Sequence, residues 1–382
     1  SMIVQSDGTT NYQIFKKKDS AVKSKMDFEL SSVLLKDINY YYQNDGSKLR
    51  MHTVAKSAKA NLILEGGTYY IESDGQYTIS SIMVKQREYV SNKSLDGNIS
   101  ITYQTDLKSV KNEKSIDKID GSRFLTDVTY SFQEKIPYIN LSLEGEQTSI
   151  ETIFNLLPAR ISKNFKRYKS RGSAFFSLRL EGQIRHKTGP QLAIDFGLEN
   201  AEISYPNSAL TIEGVSTKGL FLAEDILNLS TGTLEMTDIR GKFENKDFMS
   251  ELVYKDFHNP HLTLAFDGAF ELSSLSKVAD ISQIEDASGS MNIALKFNGD
   301  LNHLKNKASV NKIETDGQIE MDNISFKHQS LKLPVQELSG TLLFNHSDIA
   351  LSNVQGFYGR SDFLLNGLFK NLFANVLFDN EP

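Results

Sequence analysis

Nearly the whole chain repeats the period of a half-buried β-strand, and that habit restricts its fold more than any motif does. In MNIALKF, residues 291 to 297, Met291, Ile293, Leu295 and Phe297 fall on one face, with Asn292, Ala294 and Lys296 on the other. The pattern recurs at Leu178 and Leu180, at Leu192, Ile194 and Phe196, and at Leu262, Leu264 and Phe266. Several runs change parity at an Asn or a charged residue: Ile319 and Met321 are in phase, whereas Ile324 and Phe326 are shifted by one. A one-residue shift is what a β-bulge produces, so the spacing predicts long, bent strands. A surplus of 23 Phe and 15 Tyr over no Trp suits such strands.

Two stretches have helical spacing. Residues 148–168 place Ile150, Ile153, Phe154 and Leu157 three and four apart after the capping candidates Thr148 and Ser149, and Pro158 ends or kinks the run. Residues 273–284 place Leu275, Val278, Ala279 and Ile281 on one face. A parallel sheet needs a crossover helix between successive strands, so two helices predict an antiparallel sheet. The turn-forming sequences NDGS (44–47), EGG (65–67), SDG (73–75), LDGN (95–98), TDG (315–317) and YGRS (358–361) are expected at hairpins.

Laid against itself, the chain shows a degenerate repeat. Segments 119–145, 239–268 and 354–380 share an aliphatic residue, a spacer and Gly, then an aromatic, an apolar strand, a polar turn and a second apolar strand closing on an acidic residue. A second mark aligns 35–42, 199–206 and 321–328 on Tyr40, Tyr205 and Phe326. The expected organisation is one continuous elongated body of three repeats. The first, 1–171, carries an insertion within 85–118 and ends in helix 148–168; the second, 172–287, ends in helix 273–284; the third, 288–382, is truncated. The fold class expected is mostly β, a long curved antiparallel sheet forming a trough, with a few short helices between repeats.

Catalytic motifs are lacking. With no Cys, thiolate chemistry and Cys-based zinc sites are excluded. His258 and His261 are close in sequence but separated by Pro260 in a turn, with no third ligand set as in a zinc helix, so a surface pair is expected and not a metal site. No GxSxG, GxGxxG or Walker sequence occurs. Neither an enzymatic activity nor a cofactor is expected. The net charge of −6 argues against nucleic acid as a partner. The cations Lys163, Lys166, Arg167, Lys169 and Arg171 follow the first helix; they either meet an anionic headgroup or membrane surface, or complement the helix dipole.

The opening DGTTNYQIFKKK (7–18), followed by FELSSVLLKDINYYYQN (28–44), and the later TLLFNHSDIALSNVQGFYGRSDFLLNG (341–367) resemble bacterial AsmA-like proteins. The resemblance covers most of the chain, through loose motifs without invariant catalytic residues. It implies a periplasmic protein of a diderm envelope, anchored in the inner membrane by an N-terminal helix absent here. It further implies a curved β-trough that carries phospholipid towards the outer membrane and contributes to its biogenesis. Other envelope proteins are further expected partners. Helices are too few to cover the strands, so the sheet must either close on itself or curl into a trough lined by the apolar runs above. Fifteen strands would span roughly 70 Å. Phospholipid or another acyl lipid is the expected ligand. The alternative is a non-catalytic envelope scaffold or a glycan- or protein-binding module using exposed tyrosines such as Tyr40–Tyr42 and Tyr69–Tyr70.

Overall fold

The computed structural model describes residues 2–5, 11, 27–45, 48–84, 87–131, 133, 136–156, 169–185, 187–204, 211–274 and 284–371. Among them the protein is mostly β and antiparallel. The elements are β1 (Met2–Val4), β2 (Phe28–Asn44), β3 (Leu49–Glu65), β4 (Thr68–Val84), β5 (Arg87–Gln104), β6 (Ser109–Ile119), β7 (Ser122–Ser131) and β8 (Tyr138–Ser149). They are followed by α1 (Ile150–Leu156), β9 (Lys169–Gln183), β10 (Gln191–Ser204) and β11 (Thr211–Ala223). The chain continues through β12 (Thr233–Phe243), β13 (Lys246–Lys255), β14 (His261–Glu271), β15 (Ile284–Asp300), β16 (Glu314–His328), β17 (Val335–Asn345), β18 (Asp348–Tyr358) and β19 (Ser361–Phe369). It divides into two compact units: Ser1–Arg167 with Ala174–Ile194, and Tyr168–Ser173 with Asp195–Pro382.

In the first unit, β2 to β8 pair antiparallel, each with the next in the chain, while β1 adds parallel to the end of β2 at Tyr42–Asn44. Gly66-Gly67 and Asp120-Gly121 turn between strands with positive φ at both residues, which matches the right-handed twist of the flanking strands. Burial raises the Asp120 carboxyl, but the Lys93 ammonium at 2.9 Å and the Ser94 N–H outweigh it and hold the group below its usual value. The Tyr130 phenol of β7 is pushed up by burial and by the charge of Tyr42 on β2. Phe124, 1% exposed, is the most buried large side chain among the described residues of the first unit; Ile150 and Ile153 of α1 are buried too, and the Ser122 hydroxyl of β7 donates to Thr152 Oγ1 of α1 at 3.0 Å. The Thr152 N–H donates to Ser149 Oγ at 3.1 Å, so Ser149 is the expected N-cap of α1.

In the second unit, β11 to β19 form the same kind of antiparallel meander. The predicted phase shift in β16 is a bulge between Met321 and Ile324, with Asn323 at φ 52°. Its freed N–H donates to Ser339 Oγ of β17 at 3.0 Å. The device recurs: the Asn353 N–H donates to Asn366 Oδ1 at 2.8 Å, and the Asn200 N–H to Ser216 Oγ at 3.2 Å. All three residues hold a left-handed φ, which Asn tolerates better than most. Opposite each sits a glycine of positive φ, namely Gly172, Gly289 or Gly340, where a Cβ would meet the residues that follow the bulge. Asn323 lies three residues before Phe326, as Asp37 (φ 51°) does before Tyr40, but Asn200 lies five before Tyr205. The bulges thus align differently from the aromatics.

Three expected hairpins are corrected. The glycines of SDG, LDGN and TDG lie inside β4, β5 and β16. Gly75 pairs with both Ala58 and Gly97, and Gly317 pairs with Leu295. These glycines serve close approach between strands, not reversal: a Cβ on Gly75 would overlap the Ala58 backbone, and one on Gly317 the Ala294 carbonyl. EGG is a hairpin as expected, and Tyr358 pairs with Ser361 across Gly359-Arg360. The expected helix 148–168 is present as α1, with 157–168 outside the described residues. Of 273–284, only the turn at Leu272–Ser274 is described as helical, and 275–283 lie outside.

Candidate functional site

Cross-strand register on one face of the second unit gathers the alternating residues into rows. One row runs Met236, Leu252, Leu264, Phe297 from β12 to β15. The Phe196 ring joins it by lying over Gly219, the partner of Met236. The next runs Phe266, Leu295, Gly317, Phe344, Ile349. Another runs Gly268, Ile293, Ile319, Leu342, Leu351. Stacked rings stiffen this face: Phe248 on Phe266 at 6.0 Å and Phe266 on Phe270 at 5.4 Å.

Almost all of these side chains are only half-buried. Each packs against its neighbours within the sheet, but among the described residues no second layer closes over them. A conventional core would bring them below a tenth exposed, as it does Phe124 and Phe176 in the first unit. What remains is an apolar lining open on one side. At one end, where β15 gives way to β16, Val310 and Ile313 are buried and Phe297 packs against them.

The seven expected residues Leu262, Leu264, Phe266, Met291, Ile293, Leu295 and Phe297 lie together here. Leu264 faces Phe297, Phe266 faces Leu295, Met291 faces Phe270 and Leu262 faces Gly299. Phe196 belongs to the same unit. Leu178, Leu180, Leu192 and Ile194 lie in the first unit, where Leu178 and Leu180 continue the face on which Ala174 and Phe176 are buried. Ile319, Leu342, Leu351 and Phe344 extend the lining across β16 to β18. The in-phase pair Ile319 and Met321 was the sequence signal for this extension, but bulges hide the phase of the rest. Of the expected headgroup cations, Lys163, Lys166 and Arg167 lie outside the described residues, whereas Lys169 and Arg171 are exposed at the start of β9.

Polar groups collect at the end of the strands where β15 gives way to β16, on the face of the sheet opposite the lining, where His261 pairs with Asp300. His261 Nδ1 lies 2.7 Å from Asp300 Oδ1 and Nε2 lies 3.0 Å from Asn298 Oδ1. Asn298 is oriented by donating Nδ2 to Glu314 at 3.0 Å. Both ring nitrogens thus face acceptors, and the His261 pKa is raised by Asp300 first and Asn298 second. His258 does not join this arrangement; its N–H donates to Asp256 Oδ1 at 2.9 Å. On the same face of the sheet, a shallow depression of about 360 Å³ opens over the small residues Ala265 and Ala294, edged by Arg240, Lys296 and Asp316. Its charged edge suits water better than acyl chains. No family model matches the chain, and no curated protein or solved structure is similar to it.

Proposed function

We propose that the apolar lining of the second unit holds acyl chains, and that the protein is a segment of a lipid-binding and lipid-transfer conduit. One observation carries the reading: rows of half-buried apolar side chains cross β12 to β18 without a covering layer among the described residues. Every methylene moved from water onto such a surface gains about 0.8 kcal/mol. Successive rows offer similar surface, so a sliding chain regains ahead of it the apolar packing that it gives up behind. Holding and passing an acyl chain in this way requires no catalytic residue.

The AsmA-like resemblance supplies the setting proposed for this activity: the periplasm, inner-membrane anchorage through a preceding segment, phospholipid as cargo and a contribution to outer-membrane biogenesis. Purified protein should take up a fluorescent phospholipid and release phospholipid in native mass spectrometry. Replacing Leu264 and Leu295 with Glu should abolish both, because a carboxylate in the middle of the rows cannot be desolvated cheaply. Wild-type protein that takes up no lipid, or a double variant that takes it up unchanged, would refute the reading. The scaffold reading rests on Tyr41 of β2, which is 47% exposed and stacked on His52 at 4.0 Å. It predicts binding of glycan or protein that Tyr41→Ala removes while lipid uptake is unchanged.

A further inference from the structure

The connection from β15 to β16, residues 301–313, differs in charge from the rest of the chain. The protein carries a net charge of −6, yet this segment contains Lys305, Lys307 and Lys312 and no acidic residue. All three lysines are exposed, and Leu304, 38% exposed, stands beside the first of them. Of the flanking carboxylates, Asp300 contacts His261 at 2.7 Å and His303 within the segment at 3.7 Å, and Glu314 accepts from Asn298.

The segment is also built. The Leu301 N–H donates to the Pro260 carbonyl at 2.8 Å, the Val310 N–H to Asn306 O at 2.9 Å and the Lys312 N–H to Ser309 O at 2.9 Å. Val310 and Ile313, 0% and 1% exposed, anchor it under Phe297. Its lysine backbone positions are thus fixed before any partner arrives, which reduces the ordering entropy that binding must overcome. Phe297 is itself a member of the lining, so this cationic crosspiece borders the end of the acyl surface.

We propose that residues 301–313 are a docking surface for an anionic phospholipid membrane. The lysines meet the headgroup phosphates and Leu304 enters the boundary between headgroups and acyl chains. A polyanionic nucleic acid fits less well, because three lysines neutralise few phosphates and an exposed Leu adds nothing to such binding. The proposal builds on the lipid-holding reading, since it places a membrane where a lipid would enter or leave the rows.

The test is co-sedimentation of the full chain with vesicles of phosphatidylcholine, with and without phosphatidylglycerol. Binding is expected to require phosphatidylglycerol and to weaken as salt is raised. The triple variant K305Q/K307Q/K312Q should bind roughly a hundredfold more weakly. A control variant that removes the same charge elsewhere, K118Q/K218Q/K332Q, should bind like wild type. Indifference of the wild type to headgroup charge or to salt, or equal losses in the two triple variants, overturns the proposal. Uptake of a dispersed fluorescent phospholipid without vesicles reports on the lining separately. If uptake fails while vesicle binding persists, the lining is refuted and the docking surface stands; the opposite result refutes the docking surface alone.

Discussion

Gly317→Ala should unfold the second unit far more readily than its one added methyl suggests. Gly317 lies in mid-β16 at φ 130°, paired with Leu295 on one side and Phe344 on the other. A side chain held in that backbone region costs about 1–3 kcal/mol. The Cβ would also overlap the Ala294 carbonyl oxygen and lie 3.0 Å from Leu295 Cα. These are backbone atoms of the neighbouring strand, so relief requires β15 and β16 to part, and each ladder bond broken there removes about 1 kcal/mol net. The expected loss is about 3–5 kcal/mol, at the severe end for a single substitution.

Gly214→Ala is the control within the same unit. Its φ of 61° is left-handed, but the nearest atom to an added Cβ is Asn200 Oδ1 at 3.7 Å, an ordinary contact. Strain alone predicts about 1–2 kcal/mol there. Urea unfolding, followed by hydrogen exchange at the β15 and β16 amides, measures both variants. If Gly317→Ala costs no more than Gly214→Ala, close strand approach is not the reason for glycine at 317, and the account of the strand-internal glycines fails with it.

His261 should make stability depend on pH. Its folded pKa is raised, so its contribution is complete below the usual imidazole value of 6.5 and is lost as pH rises through the higher folded value. Asp300 and Asn298 favour the cation, Lys255 across the ladder opposes it, and His303 Nε2 shares Asp300 at 3.7 Å. Asp300→Asn should therefore flatten the decline of the unfolding midpoint that the wild type shows as pH rises above the usual imidazole value. In the first unit, a Cβ on Gly97 would overlap Asp117 Oδ1, an oxygen of a carboxylate only 4% exposed. Gly97→Ala and Asp117→Ala should each destabilise, and a double-mutant cycle should recover about 1–3 kcal/mol of coupling; strictly additive losses would show that the two do not compete for the same space. Ser339→Ala removes the acceptor of the Asn323 N–H and should cost about 1 kcal/mol, whereas Ser352→Ala in β18, which caps no bulge, should be near neutral in the same unfolding measurement.

Alternation revealed the strands and the lining because period two follows directly from the pleat. Met291 to Phe297 appear on one face in the sequence and occupy one face in the fold. The glycines were harder to read. In EGG, Gly66 and Gly67 both take positive φ and turn the chain, whereas the similar SDG and LDGN continue straight through β4 and β5. Nothing local separates these cases, because Gly75 is required by the Ala58 backbone across the ladder, on the preceding strand. The rows across β16 to β18 were obscured for a related reason. Each bulge reverses which parity faces the lining, and only pairing with the next strand reveals where the reversal falls.

The same pairings explain how an open apolar surface forms without a second layer. Large side chains and glycines alternate across the strands of the second unit: Met236 faces Gly219, Phe248 faces both Gly241 and Gly268, Leu262 faces Gly299, Leu295 and Phe344 flank Gly317, Met321 faces Gly340 and Leu351 faces Gly367. A ring or branched chain can then lean over the neighbouring backbone, as Phe196 does over Gly219, and shield it from water. A sheet with a bulky residue at every lining position would have to splay. Placing glycine beside many of the large residues allows neighbouring strands to bend towards the apolar side, and the bulges add twist in the strands that carry them. Strand pairing and large-to-glycine packing thus hold this face together as one sheet. Among the described residues nothing covers its apolar rows, which is the condition for the proposed acyl chain to occupy them.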